Sequence, residues 1–559
     1  MVWRDGSISE TPGQCLKVRG TAPEQRPGDR AMNPTTPTRT TLYDAFAQAV
    51  TEAAQRPFLA CTPSMGGAQW TFAQTAAAVD RLSALYARRG WGAGHRVALG
   101  VGNTPAHFFH FLAMNRLGIS MVPMNPDHLG GEIRYQLAHS RADLVVANAE
   151  RAAVVRDALA GAAAGTARPP IVEDSLLETG LPLAPAAVRS AGDPWQAEVA
   201  ILYTSGTSGL PKGCLLSNEY VLTGGHWYCD AGGPLTLREG GERVLNPLPV
   251  FHMNCGINTF MAMILSRNCL ILPDRFHAST WWADIAGSQA TAMHYLGVMP
   301  PALIKQAPSP LDRAHQVRWA LGAGCDPTLH AGFEARFGLP LIEVWGMTET
   351  GRFMVNHEEP RQVDTRAFGR ACAPLAAMVA DDQGRPVPVG EPGELLVRCE
   401  GEDPRRGFFS GYLDDEAATE QAWRGGWFHS GDVVSADASG MLYFIDRRKD
   451  MIRRSGENIS AGEVEATLAA HPEVMSIAVM AVADEMRDEE VLAVVVPAAG
   501  VPADERTAHA LTRYCLGQLA YYKAPGWVVF RTELPTTSTN KLQKHRLFEK
   551  NQDPRVGAI

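Results

Sequence analysis

Eleven consecutive residues, Tyr203-Thr204-Ser205-Gly206-Thr207-Ser208-Gly209-Leu210-Pro211-Lys212-Gly213, carry four Ser or Thr hydroxyls, three glycines and one lysine. Such a stretch bends tightly, points its amides at an anion and brings a cation to meet it, which is the chemistry of a phosphate loop. It follows an apolar run, Val199-Ala200-Ile201-Leu202, that reads as a buried strand. A Walker loop is excluded, because there Gly-Lys is followed at once by Ser or Thr at a helix start, whereas here Lys212 stands between Pro211 and Gly213. A Ser/Gly-rich surface linker has a similar composition.

Four later runs carry groups suited to phosphates and carboxylates. Glu343-Val344-Trp345-Gly346-Met347-Thr348-Glu349-Thr350 sets an aromatic ring, a hydroxyl and a carboxylate within a few residues. Trp427-Phe428-His429-Ser430-Gly431-Asp432 ends on a second carboxylate, and Asp446-Arg447-Arg448-Lys449-Asp450 is a charged run. Leu534-Pro535-Thr536-Thr537-Ser538-Thr539-Asn540-Lys541-Leu542 brings a lysine near the end of the chain. Taken singly, each has an ordinary explanation: a helix cap, a turn, a solvated linker and a solvated tail.

In this order and spacing the five runs resemble the signatures of the adenylate-forming superfamily, which includes acyl-CoA synthetases, firefly-type luciferases and peptide-synthetase adenylation domains. The resemblance implies an α/β fold with a large N-terminal domain of mixed sheets, a small β-rich unit and a small mobile α+β C-terminal domain. It also implies a two-step reaction. A carboxylate attacks Mg-ATP to give an acyl-adenylate and pyrophosphate, and coenzyme A then displaces AMP to leave a thioester.

By the same resemblance Thr204, Ser205, Gly206, Thr207, Ser208, Gly209 and Lys212 contact the phosphates, and Trp345 stacks on adenine. Thr348 contacts phosphate and Glu349 holds Mg2+, a hard cation that neutralises the triphosphate through oxygen ligands. Asp432 accepts the ribose hydroxyls, Arg447 contacts ribose and phosphate, and Lys541 stabilises charge developing during adenylation. Lys449 is the hinge about which the small domain turns. Ser455 and Gly456, within Arg453-Arg454-Ser455-Gly456-Glu457-Asn458, line the pantetheine tunnel.

The acyl pocket is expected at His252 in Phe251-His252-Met253-Asn254-Cys255-Gly256, at Gly322, Ala323 and Gly324, and at Gly346 and Met347. His252 matches a gate residue between the acyl and ATP sites. The chain departs from the family pattern in Trp345 for tyrosine, Ser455 for glycine and Asn540 for glycine. Residues 447–457 also resemble the carnitine/crotonobetaine-CoA ligase branch, and His226, Trp227, Tyr228 and Asp230 offer aromatics with a carboxylate that would suit a cationic acyl group. Three alternatives stay open: an adenylating enzyme that loads a carrier protein in trans, an oxygen-using luciferase that shares the first half-reaction, and a non-catalytic nucleotide- or acyl-binding paralogue.

The elements that must position these groups fit the same plan. At 559 residues the chain exceeds a single hydrophobic core. Residues 1–38, rich in Gly, Pro, Thr and charge, read as a disordered extension. A helix at 71–89, a strand at 97–101, a helix at 105–117 and strands at 119–124 and 143–147 alternate as in a parallel sheet covered on both faces. Residues 39–446 form the large domain, with 378–446 its β-rich part, and 447–559 the small one. In the latter, Ser460-Ala461-Gly462-Glu463 predicts a capping box, with Glu463 reaching back to the Ser460 amide.

Net charge is −9, which gives no electrostatic reason for a nucleic-acid partner. Ten scattered cysteines without a Cys-x-x-Cys pair point to neither zinc nor a disulfide framework and suit a reducing cytosol. The expectation is a cytoplasmic protein with no transmembrane segment; oligomeric state is not legible.

Overall fold

The structure, a computed structural model, describes residues 39–161, 168–189, 192–204, 210–447, 451–535, 544, 547–549 and 552–559. The expected extension at 1–38, the loop residues Ser205 to Gly209, Lys449 and Lys541 lie outside them.

Strands Arg96–Gly100, Ser120–Pro123, Leu144–Ala147 and Ile171–Glu173 pair in parallel, and Glu198–Thr204 joins beside Ser120–Pro123. They are buried along nearly every residue, as expected where helices cover both faces. The sheet then turns antiparallel: Lys212–Ser217 returns along Glu198–Thr204, and Gly411–Tyr412 closes the edge. The stretch read as a phosphate loop therefore falls between the strands of an antiparallel pair, with Thr204 in register with Lys212.

A second sheet has eight strands, four of which, from Arg243–Leu245 through Ala292–Leu296 and Ala320–Ala323 to Leu341–Gly346, run parallel toward the site. Phe58 stacks on Phe72 at 4.2 Å and Phe108 on Phe260 at 4.1 Å, packing three helices together with strand Pro57–Cys61 of the eight-stranded sheet. Rings of this size dominate core energetics, so the two sheets form one body. Helix Asn218–Cys229, capped by the Ser217 hydroxyl, runs buried through it.

A third, antiparallel sheet of five strands runs from Ala367–Gly369 to Leu442–Arg447 and shares the same core. The β-rich part thus begins about ten residues earlier than 378, because the short strand at 367–369 pairs with Leu442–Arg447. Arg447 ends a strand of this sheet in register with Asp432, which places it with the large domain.

From Met451 onward a separate sheet, with helices Ala461–Ala469 and Glu505–Gln518, packs around its own core. Ser460 caps the first helix as expected, accepting from the Glu463 amide. The reciprocal half of the predicted box is absent, because the Glu463 carboxylate is drawn instead to the buried Lys523 ammonium, 2.9 Å away. A buried cation outcompetes an amide N–H for a carboxylate.

Candidate active site

A cavity of about 990 Å³ opens where the large domain's sheets meet the C-terminal domain. Thr204, Thr348, Glu349 and Asp432 line one end. Residues from the 252–259 segment, with Tyr228 and His294, line another, and Arg453, Gly456 and Asn458 close the third side.

At the first end, strand Leu341–Gly346 delivers Trp345, and the turn after it delivers Thr348 and Glu349. Glu349 is buried, and its Oε1 accepts the Tyr412 hydroxyl at 2.9 Å. Burial pushes this carboxyl above the usual range, with Tyr412 and Lys212 working against the rise. The Lys212 ammonium sits 4.6 Å from the Tyr412 ring centroid, a cation–π contact that parks the cation beside the carboxylate. Tyr412 was not foreseen: it lies 63 residues from Glu349, and only the edge pairing of Gly411–Tyr412 with Lys212–Ser217 brings it in.

Trp345 and Asp432 are joined directly. The indole Nε1–H donates to Asp432 Oδ2 at 2.8 Å, and both side chains are buried. The tyrosine that the family has at this position would place no N–H there. Asp432 is further oriented by its own amide, which donates to the Ser430 hydroxyl at 3.1 Å.

At the second end the chain makes a wide π-helical turn over Asn254–Thr259, a form often found at functional sites. Asn246 donates to Asn254 at 2.9 Å and to Thr259 at 3.0 Å, and the Tyr228 hydroxyl meets His294 Nε2 at 2.8 Å. Burial holds His294 down to about 3, so it is a neutral ring. Gly322, Ala323 and Gly324 line the wall, together with His252, Gly346 and Met347. A Cβ at Gly322 would lie 2.2 Å from the Tyr295 carbonyl oxygen, so only glycine lets these strands run this close.

Glu343, given no role by the sequence, ties this wall together. It accepts from the Gly324 amide at 2.8 Å, the Cys325 amide at 3.1 Å and the Tyr295 hydroxyl, and burial raises its carboxyl. The four residues that could have caged a cationic acyl group do not gather at the cavity: of His226, Trp227, Tyr228 and Asp230 only Tyr228 lines it. The Trp227 N–H is spent on the Phe353 carbonyl at 2.7 Å.

On the third side, Met451–Arg454 and Glu457–Ser460 form a hairpin whose two turn residues, Ser455 and Gly456, have φ of 52° and 90°. Two positive φ values are what a two-residue hairpin turn of this twist requires, and Ser455 adopts one without being glycine. The turn presses on the large domain, and a Cβ at Gly456 would fall 2.3 Å from Leu296 Cδ1. Beside it His252 Nε2 lies 3.6 Å from Glu457 Oε2, a polar contact between the two domains. Burial pushes Glu457 up, yet His252 and its neighbours hold it below the usual carboxylate range.

The sequence and fold have known relatives. A family model for AMP-binding enzymes matches residues 46–413, and one for the AMP-binding enzyme C-terminal domain matches residues 463–541. The crotonobetaine/carnitine–CoA ligase of Citrobacter koseri is 30% identical over 492 residues, covering 86% of this chain and 93% of that protein. Among solved structures, a double mutant of Bacillus subtilis o-succinylbenzoate CoA synthetase, bound with a product analogue, superposes with a TM-score of 0.78. It is 23% identical and covers 91% of this chain and 98% of that one. The same synthetase with its acyl-adenylate intermediate, 22% identical, gives 0.63 and covers 92% of this chain and 99% of that one. With the first of the two family models spanning most of its length, the chain belongs to the AMP-binding enzyme family.

Proposed function

We propose that this chain is an ATP-dependent, AMP-forming carboxylate–CoA ligase whose substrate is a compact acid bearing a polar group. The reaction runs through an acyl-adenylate and ends in a thioester, making the protein an acid–thiol ligase. What carries the thioester half is the Ser455–Gly456 turn seated against Leu296, at the wall of the same cavity that Glu349 and Asp432 enter. That arrangement supports a route for a thin thiol-bearing arm to the reacting carbonyl.

In the adenylation step the protein mainly positions and neutralises. Asp432, oriented by Trp345, receives the ribose hydroxyls, and the Trp345 ring flanks the base. Lys212 leaves the Tyr412 ring for the phosphates, joined by Thr204, Thr348 and the loop at 205–209. Glu349 would hold Mg2+: it is a single buried carboxylate steadied by Tyr412, and no cluster of three or more acidic, His or Cys ligands exists among the described residues. Such a donor set fits a cation that keeps most of its coordination for phosphate oxygens and water. When bound, Mg2+ supplies charge neutralisation for the triphosphate. Lys541 is assigned the charge that develops as pyrophosphate leaves.

The polar character of the acid follows from the cavity's inner end, where Tyr228, Asn254, Asn258, Thr259 and neutral His294 replace the apolar tunnel a long alkyl chain would need. The test is carboxylate-dependent pyrophosphate release with Mg-ATP, with and without coenzyme A, and mass analysis of the thioester. The panel comprises short hydroxy-, keto- and trimethylammonium acids beside medium-chain fatty acids. A short polar acid should give release and a CoA thioester. Release that coenzyme A leaves unchanged would point to a carrier protein or another acceptor, and preference for the fatty acids would overturn the substrate class.

A further inference from the structure

The C-terminal domain also meets the large domain next to the His252–Glu457 contact, through residues that do not themselves line the cavity. Lys523, in the turn Tyr521–Lys523, is 4% exposed and places its ammonium 2.6 Å from Glu132 Oε1 and 2.9 Å from Glu463. Glu463 belongs to the same domain, but Glu132 comes from helix Gly130–Ser140 of the large domain. The second Glu132 oxygen takes the amide of Ala520 at 2.8 Å and that of Leu129 at 3.0 Å. Beside this cluster Asn125 donates to the Tyr522 hydroxyl at 3.0 Å.

Two carboxylates and one ammonium share this buried space, so the cation decides whether the interface closes. With Lys523 present, both carboxylates are paired. Without it, two like charges face each other across the domain boundary, and burying them is strongly disfavoured. When the domain swings away, Lys523 keeps Glu463 while Glu132 passes into water, where a lone carboxylate is well solvated. The pairing with Glu132 therefore exists only in the arrangement that seats Gly456 at the cavity wall.

We infer that Lys523 is a positioning residue specific to thioester formation, a latch that clasps Glu132 to hold the C-terminal domain in place while coenzyme A reacts. The inference rests on the ligase assignment above. It separates Lys523 from Lys541, which is assigned to the other half-reaction.

The test compares Lys523→Met and Lys523→Arg with the wild type in two assays: a single turnover of supplied acyl-adenylate with coenzyme A, and carboxylate-dependent pyrophosphate release in a first turnover. Lys523→Met should slow thioester formation by roughly tenfold to a hundredfold and leave pyrophosphate release within about twofold, as expected on breaking one side of a buried pair. Lys523→Arg should recover much of the loss. Adding Glu132→Gln to Lys523→Met should also recover part of it, because the like-charge repulsion is gone. Should Lys523→Met fail to fold, Glu132→Gln alone, which leaves the Lys523–Glu463 pair intact, must show the same split. Equal losses in both assays, or an unchanged thioester rate, would overturn the latch. A wild type that releases pyrophosphate but makes no thioester overturns the ligase assignment itself, and the latch with it.

Discussion

In the proposed reaction Trp345 would couple the base site to the ribose site, since its indole N–H is bonded to Asp432, the carboxylate assigned to the ribose hydroxyls. Trp345→Phe keeps a ring but removes that hydrogen bond, made to a charged acceptor and worth about 1.5 kcal/mol. The expected outcome is a roughly tenfold higher KM for ATP with kcat little changed, because the contact is made equally in ground and transition states. Steady-state kinetics at saturating acid and coenzyme A check it. The motif order was sufficient to name Trp345, Thr348, Glu349 and Asp432, which surround one cavity. It could not name Tyr412, whose neighbourhood carries no chemical pattern, nor Glu343, which opens the run containing Trp345 and Glu349 but is not one of its matched positions. Tyr412 reaches Glu349 only through sheet pairing, and Glu343 works by accepting hydrogen bonds from residues 18 to 48 positions earlier.

Among the elements, the hairpin from Met451 to Ser460 is the one on which the proposed thioester step depends. Gly456→Ala introduces a Cβ at a φ of 90°, 2.3 Å from Leu296 Cδ1. The left-handed backbone alone costs about 1–2 kcal/mol for a residue with a side chain. Thioester formation from supplied acyl-adenylate should fall about tenfold or more while pyrophosphate release is spared, as rapid-quench assays of the two steps would read. The same hairpin bears Glu457, faced by His252, His128 and Asp127 of the large domain and by Lys523, Tyr521 and Tyr522 of its own. Its carboxyl is lowered in the docked state, so its contribution to docking is present above the ordinary value near 4.5 and is lost as pH falls through the lowered one. Replacing His252 with Asn leaves burial unopposed by that partner, so the acid-side loss of thioester formation should move to higher pH, measured as a pH profile of that step. Punctuation at Ser460 locates the helix after this hairpin, whereas the hairpin itself is not read from the residues, 453–458 being reached only by resemblance to a tunnel-lining loop. The half-formed capping box shows the limit, because the partner that captures Glu463 is 60 residues away.

For the whole molecule, the large domain's sheets share one core while the C-terminal domain closes around its own. Beside the close approach of Gly456 to Leu296, polar contacts join them: His252 with Glu457, Asn125 with Tyr522, and Glu132 with Lys523. Buried ion pairs add little net stability but discriminate sharply between arrangements, which suits a contact that must be made and broken in each cycle. None of this docking was legible in the chain, since Glu132 and Lys523 are 391 residues apart and each alone reads as a surface charge. The division of labour between two arrangements is tested most directly with Lys541→Ala. Carboxylate-dependent pyrophosphate release should fall by roughly two orders of magnitude or more, as for loss of a group that stabilises transition-state charge. Conversion of supplied acyl-adenylate and coenzyme A to thioester should stay within about threefold of the wild type, since Lys541 is not expected at the site in that step. Equal losses in both half-reactions would contradict it.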